Sequence, residues 1–266
     1  MLVDTHAHLN FKAFDKDVSE VIRRAKKSSV NKIIVPGAKI DSSKKAGQIA
    51  EKYPGVYAAV GIHPHHVHEF TENGRNVINT LNRLAKHNKV VAIGEIGLDY
   101  YRYKNYPEIT RDEISAQKKL FILQMKIAEL FNLPVIIHCR NAHDDLFEIL
   151  DKILTNTKFT HSGVFHCFGG NLIHLNKALE MGFFIGFDGN ITYGNLRLRE
   201  LVKATPLHRI VLESDSPYLA PVPCRGSRNE PANLPYIASC VSDIHNRNLE
   251  EIVKTTTQNA MSLFLL

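Results

Sequence analysis

Histidines and carboxylates recur in this 266-residue chain at the ends of short apolar runs, and imidazole with carboxylate is a ligand set for divalent metal ions. The stretch LVDTHAHL carries His6 and His8 one residue apart, so in extended backbone both rings point to one side as a natural ligand pair. A single H-x-H is an ordinary pattern. Its weight comes from company: Glu95 in IGEIGLD, His138 after PVII, His166 after GVF and Asp215 in IVLESD stand at comparable places. A carboxylate ending an apolar strand is costly unless it is paired or bound to a cation. Four histidines and two carboxylates exceed the four protein ligands that one tetrahedral ion takes. The set therefore predicts two divalent ions, Mg²⁺, Mn²⁺ or Zn²⁺, that share Glu95 and activate water for hydrolysis. His63 and His65 in GIHPH, Arg140 beyond His138 and Arg225 in PCRGSRNEP are the expected contacts to a substrate phosphate, because arginine suits bidentate oxyanion recognition.

Such a site needs elements that deliver these residues to one place. Eight apolar runs alternate with helical patterns, at residues 2–8, 32–37, 56–62, 90–96, 134–139, 163–168, 183–187 and 209–215. Runs such as VVAIG and PVIIH are apolar on both alternating faces, as parallel strands covered by helices must be. Eight strand-helix units in this length predict an α/β fold, a closed (β/α)₈ TIM barrel forming one domain over residues 1–266, with its site at the C-terminal strand ends. A doubly wound open sheet is the alternative, but the first strand-to-helix turn lacks G-x-G-x-x-G. The clearest helix runs from about Asp112 to Phe131, where Leu120, Leu123, Ile127 and Leu130 predict one buried stripe, before Asn132 and Pro134 end it. Period-two alternation turns Cys139 and Cys167 away from their neighbouring histidines, which makes them small packing groups rather than ligands. Asp4 is expected to hydrogen-bond a ligand histidine or to close the barrel core.

Composition narrows the class. Hydrophobic residues make up 44% of the chain, enough for a sizeable core, and no apolar stretch approaches the roughly 20 residues of a membrane helix. The four cysteines form no C-x-x-C pair and are expected to be free thiols, which with the absence of a signal-like start points to the cytoplasm. The net charge of +6 suits an anionic partner without demanding one, and RRAKK (23–27) reads as the outer face of a helix.

Taken in order, DTHAHL, GIHPH, GEIGLDYY, IIHCR, FHCFGG, ESDSPYLAP and the PxxxRGxxNEP pattern (221–231) resemble the TatD family of metal-dependent deoxyribonucleases, from residue 4 to about 231. The resemblance implies an amidohydrolase-like TIM barrel with 3′-to-5′ exonuclease or related DNase activity. It further implies that His6, His8 and Asp215 share one metal with Glu95, while Glu95, His138 and His166 hold the second. It assigns catalysis to Glu95 and Asp215, the latter as acceptor of a proton from the attacking water. Two positions depart from the family pattern, Gly169 where FHCFSG has serine and Ser214 where ETDSP has threonine, and neither removes a ligand. The expected partner is DNA, with no membrane and a monomer as the simplest assembly. A metal-dependent amide or ester hydrolase, such as an aminoacyl-tRNA deacylase or a small-molecule amidohydrolase, is the alternative enzyme; a catalytically silent nucleic-acid-binding module is the non-enzymatic one. Arg140 and Arg225 separate the two enzymes, since a neutral amide does not need them.

Overall fold

The computed structural model describes residues 1–101, 108–156 and 163–266. Eight strands, β1 (Leu2–Asp4), β2 (Val30–Pro36), β3 (Val56–Val60), β4 (Val90–Asp99), β5 (Val135–Arg140), β6 (Gly163–Phe165), β7 (Phe184–Phe187) and β8 (Ile210–Leu212), lie in sequence order in one parallel sheet. The sheet curls until its edges meet. Thr5 N–H donates to the Leu212 carbonyl (3.1 Å), Asp215 N–H to His6 (2.9 Å) and His8 N–H to Ser216 (2.8 Å), so the seam is stitched by the backbone just past β1 and β8. This is the expected TIM barrel.

Helices α1 (Val18–Lys27), α2 (Ile40–Lys52), α3 (Val67–Ala85), α4 (Arg111–Phe131), α5 (His143–Asn156), α6 (Leu172–Glu180), α7 (Leu196–Ala204) and α8 (Leu234–His245) follow their strands in turn, and α9 (Leu249–Phe264) is an addition. The outward strand residues pack on this ring of helices in the larger apolar core. Inward residues Val3, Ile34, Ala59, Ala92, Ile136, Val164 and Val211 form a second core together with Ala260, Leu263 and Phe264 of α9. The extra helix thus plugs the lower mouth of the barrel, and the polar chemistry is left to the upper one.

The boundaries are shorter than the apolar runs. β1 stops at Asp4 and β6 at Phe165, so His6, His8 and His166 lie beyond regular strand, where the chain turns into the loops of the upper mouth. α4 begins one residue early, where Thr110 and Glu113 form a reciprocal cap, and ends at Asn132 in the left-handed conformation. Its stripe is displaced from expectation. Leu130 is 70% exposed, whereas Gln117, Phe121, Gln124 and Ala128 are buried beside Leu120 and Ile127. A 3.6-residue repeat drifts over 21 residues, so the face that meets the curved barrel is not a single leucine column. The two glutamines act as fasteners. Gln124 pairs with both backbone groups of Ile62 (2.7 and 3.1 Å), and Gln117 with both of Asp99 (3.0 and 3.2 Å).

Candidate metal centre

The fasteners hold the ends of β3 and β4, and Glu95 sits just below. The register between β4 and β5 skips one residue between Gly94 and Ile96, so Glu95 is the extra residue of a bulge, and its N–H bonds the Gly37 carbonyl at 2.8 Å. A bulge re-aims a side chain. Here it sends a carboxylate that is 3% exposed into the upper mouth. Glycine is needed alongside, because a Cβ at Gly94 would lie 2.6 Å from that of Ile136.

The two oxygens of Glu95 face different histidines. Oε2 lies 3.4 Å from His6 Nε2 and 3.7 Å from His8 Nε2. Oε1 lies 3.0 Å from His138 Nδ1, 3.1 Å from His166 Nε2 and 3.5 Å from His63 Nε2. Asp215 joins the first group, its Oδ1 3.6 Å from His8 Nε2 and 3.9 Å from His6 Nε2. Its φ of 51° belongs to the left-handed region that aspartate enters more readily than most residues, and this turns the chain back over the mouth directly after β8. His6 and His166 stack at 3.9 Å and bind the two groups into one cluster. All six expected ligand positions are brought together in this way.

The electrostatics show what the cluster suits. Burial pushes Glu95 upward, yet His63 and His166, with hydrogen bonds from His138 and His166, outweigh it and hold the carboxyl well below its usual range. His166 is held well above the ordinary histidine value against burial, because Glu95 and Glu213 face it; His138 is raised in the same way by Asp99 and Glu95. Burial lowers His6 to about 4 and His8 to about 3, so both are neutral with lone pairs available. Burial raises Asp215 well above the carboxylate range, with Asp188 and Glu95 adding to it against His166. Buried carboxylates that retain protons on themselves and their neighbours form a site that calls for cations, and the donor set of imidazole nitrogen and carboxylate oxygen fits divalent metal. Triads His6/His8/Glu95, His6/His166/Asp215 and His63/Glu95/His138 each converge closely enough to hold an ion.

Two carboxylates that sequence reasoning passed over orient the rings. Asp99 Oδ2 meets His138 Nε2 at 3.0 Å and His65 Nε2 at 2.8 Å. Glu213, fully buried, meets His166 Nδ1 at 3.4 Å and accepts the Cys167 N–H. Gly186 makes room for it, since a Cβ there would lie 2.5 Å from Glu213 Oε2. A second carboxylate near a strand end was the available signal for both. His138 and His166 thus present opposite ring nitrogens to Glu95; His138 keeps Nε2 hydrogen-bonded to Asp99, the arrangement that fixes the tautomer of a ligating histidine, while His166 Nδ1 faces Glu213 at ion-pair distance.

The remaining expectations divide. His63 lies in the cluster, and its Nδ1 accepts the His65 N–H at 3.1 Å. Arg140 ends β5 on the same face as His138, and its guanidinium lies 3.6 Å above the Tyr101 ring. Arg225 stands on another flank, 4.1 Å above Tyr193 beyond β7. In the same loop it is Arg228 that is anchored, on Asp17 at 2.7 and 2.9 Å. Cys139 packs against the core as expected, but Cys167 does not. It lies past the end of β6 with φ 45°, so alternation no longer applies, and Asn190 reaches its sulfur at 3.6 Å beside Asp188. All four cysteines are free thiols. Asp4 hydrogen-bonds no imidazole among the described residues; its Oδ1 accepts the backbone N–H of His6 (3.2 Å) and Ser214 (2.9 Å), which joins the ends of β1 and β8. Among the described residues no helix is long and apolar enough to cross a membrane.

A family model described as TatD related DNase matches residues 3–265. The chain is 38% identical over 265 residues to an uncharacterized metal-dependent hydrolase of Bacillus subtilis, YabD, covering 99% of each. It is 34% identical over 272 residues to the protein of Pantoea vagans named 3′-5′ ssDNA/RNA exonuclease TatD, covering 100% of each. Among solved structures, that of YJJV, a TatD homolog from Escherichia coli, matches with a TM-score of 0.88 at 29% identity, covering 100% of this chain and 98% of the other. With the motifs in register, the barrel closed and the imidazoles gathered on Glu95, the chain belongs to the TatD-related DNase family of metal-dependent hydrolases.

Proposed function

We propose that this protein is a phosphodiesterase that removes nucleotides from DNA in the 3′-to-5′ direction at a centre where Glu95 would help to hold two divalent ions. The observation that carries the reading is the division of the Glu95 carboxylate, Oε2 toward His6 and His8, Oε1 toward His138 and His166. His6, His8 and Asp215 would hold one ion and His138 and His166 the other. A bound pair supplies Lewis acidity toward phosphate and hydroxide near neutral pH.

The chain's own groups do the rest. Asp215 lies 3.6 Å from His8 and 3.9 Å from His6; beside bound cations it would be ionised in spite of its burial, and we assign it the proton of the attacking water. His63 uses Nδ1 as an acceptor, so the neutral ring carries its hydrogen on Nε2 and donates it, toward Glu95 or a substrate phosphoryl oxygen. His65 stands at the rim with its Nε2 held by Asp99. Arg140 stands above His138 on the same strand face, where a guanidinium meets charge developing on phosphate, and Arg225 offers a second cation to the strand. The name of the Pantoea relative supports both polarity and substrate class.

The test is cleavage of 5′-labelled single-stranded DNA by protein stripped with chelator and reloaded with Mg²⁺ or Mn²⁺. We expect stepwise shortening from the 3′ end, abolished in Glu95→Gln with the fold retained. Turnover of esters or amides, with every DNA left intact by the metal-loaded protein, would overturn the assignment in favour of the amidohydrolase alternative.

A further inference from the structure

The rim where β1 and β8 meet carries two aromatic rings that the metal centre does not use. Phe11 lies three residues past His8 and stacks on that imidazole, 4.2 Å between centroids at 15°. Tyr218 lies three residues past Asp215, its N–H bonded to the Asp215 carbonyl at 2.9 Å, and the residue is 54% exposed. The two rings meet edge-on, 6.4 Å apart at 72°. Isolated exposed aromatics need no explanation. This pair differs because each ring grows from the loop of a proposed ligand, and because the loops are braced. Arg228 grips Asp17 through both terminal guanidinium nitrogens, Arg24 bonds Glu230 at 2.6 Å and Asp17 at 3.4 Å, and Asn229 Nδ2 donates to the Ser214 carbonyl at 2.7 Å. The RGSRNEP stretch therefore ties the loop bearing Tyr218 to the loop bearing Phe11, a task its sequence did not announce.

An exposed tyrosine face braced edge-on by a second ring, beside a phosphodiesterase centre in a protein of net charge +6, matches one ligand chemistry, the face of an unstacked nucleobase. Every base offers a π face, so such a shelf is indifferent to sequence, while a base still stacked in a duplex cannot reach it without being pulled out. We propose that Tyr218, with Phe11 behind it, forms a stacking subsite for the base of the terminal nucleotide, and that this subsite makes a single-stranded end the preferred substrate. The proposal rests on the phosphodiesterase reading above.

Two measurements test it. The first compares kcat/KM for a single-stranded oligonucleotide with a normal 3′-terminal base and one whose terminal nucleotide is abasic. Wild type should favour the base by about tenfold or more, the size of a lost base-aromatic stack. The ratio should fall to about one in Tyr218→Ala and return in Tyr218→Phe, since the hydroxyl plays no part. Metal content by atomic emission should be equal in all three. The second needs no turnover: 3′-terminal 2-aminopurine behind a phosphorothioate linkage should be quenched on binding wild type and Tyr218→Phe, but not Tyr218→Ala. An unchanged base-to-abasic ratio in Tyr218→Ala, or equal quenching in all three proteins, overturns the subsite even if DNA is cleaved. Quenching that follows the Tyr218 ring without any cleavage would retain the subsite and refute the phosphodiesterase reading.

Discussion

Replacing Asp99 by asparagine preserves shape and removes one charge from a residue that is 2% exposed. Burial pushes this carboxyl up, but hydrogen bonds from His138 and His65 outweigh it and hold it well below its usual range. Oδ1 accepts the Tyr101 N–H at 2.8 Å while Oδ2 accepts from His138 Nε2 at 3.0 Å. An amide cannot do both. If its oxygen faces the imidazole, its NH₂ confronts the Tyr101 N–H; if its NH₂ faces the imidazole, Nε2 becomes an acceptor and the hydrogen moves to Nδ1. That nitrogen is 3.0 Å from Glu95 Oε1, and a hydrogen there occupies the lone pair that would bind metal. Losing a hydrogen bond to a charged group costs about 1.5–3 kcal/mol, which at 1.4 kcal/mol per decade is roughly a ten- to 150-fold change. Loss of a ligand's orienting partner typically weakens metal binding about 10–100-fold, in the same range. Calorimetric titration of metal-free Asp99→Asn with Mn²⁺ should show one of two binding events weakened by about that factor, and the other unchanged. Two binding constants within about twofold of wild type, with kcat/KM also preserved, would refute the orienting role.

Three further outcomes follow from packing and charge. Gly186→Ala places a methyl 2.5 Å from Glu213 Oε2 and 2.8 Å from Cδ, so urea denaturation should show about 1–3 kcal/mol of lost stability, with weakened Mn²⁺ binding as the Glu213 charge shifts from its place beside His166. Phe264→Ala opens the plugged lower mouth; the chain should lose about 3–5 kcal/mol by denaturant midpoint, while the base-to-abasic ratio is unaffected. Arg228→Ala should cost no more than about 1 kcal/mol at pH 7, because the pair is partly exposed. Arg228 lowers the Asp17 carboxyl below its unfolded value, so this stabilisation is present above the unfolded carboxylate range and is lost as pH falls through the folded value. Urea midpoints of variant and wild type should therefore converge as pH falls below the unfolded carboxylate range, and a gap that widens in acid would contradict the assignment.

The fold was legible because its signals are local. Eight apolar runs, each apolar on both faces, specify parallel strands buried under helices, and this information survives without knowing what any strand touches. The candidate ligands were legible for a related reason, since His6, His8, Glu95, His138, His166 and Asp215 all occur where such a run ends. Where they end was less legible. Alternation cannot be continued past the last ladder bond, which is why the side assigned to Cys167 was wrong and that of Cys139 right. Leu130 failed similarly, because a period read along one helix carries no information about the curvature of the surface it meets.

The sequence by itself determined the number of strand-helix units, the end of the barrel where polar groups collect and the chemistry those groups can perform. Only the tertiary structure decided which partner each group has. Asp17 and Arg228 are 211 residues apart, and Thr5 closes the seam on Leu212 across 207. Asp99 meets His138 across 39 residues, and Glu213 meets the Cys167 N–H across 46. Those pairings depend on how the sheet twists and where its two edges register, a global condition that no local period encodes. The two faces of Glu95, the opposite ring nitrogens of His138 and His166 and the braced rim of Phe11 and Tyr218 all arise from that closure.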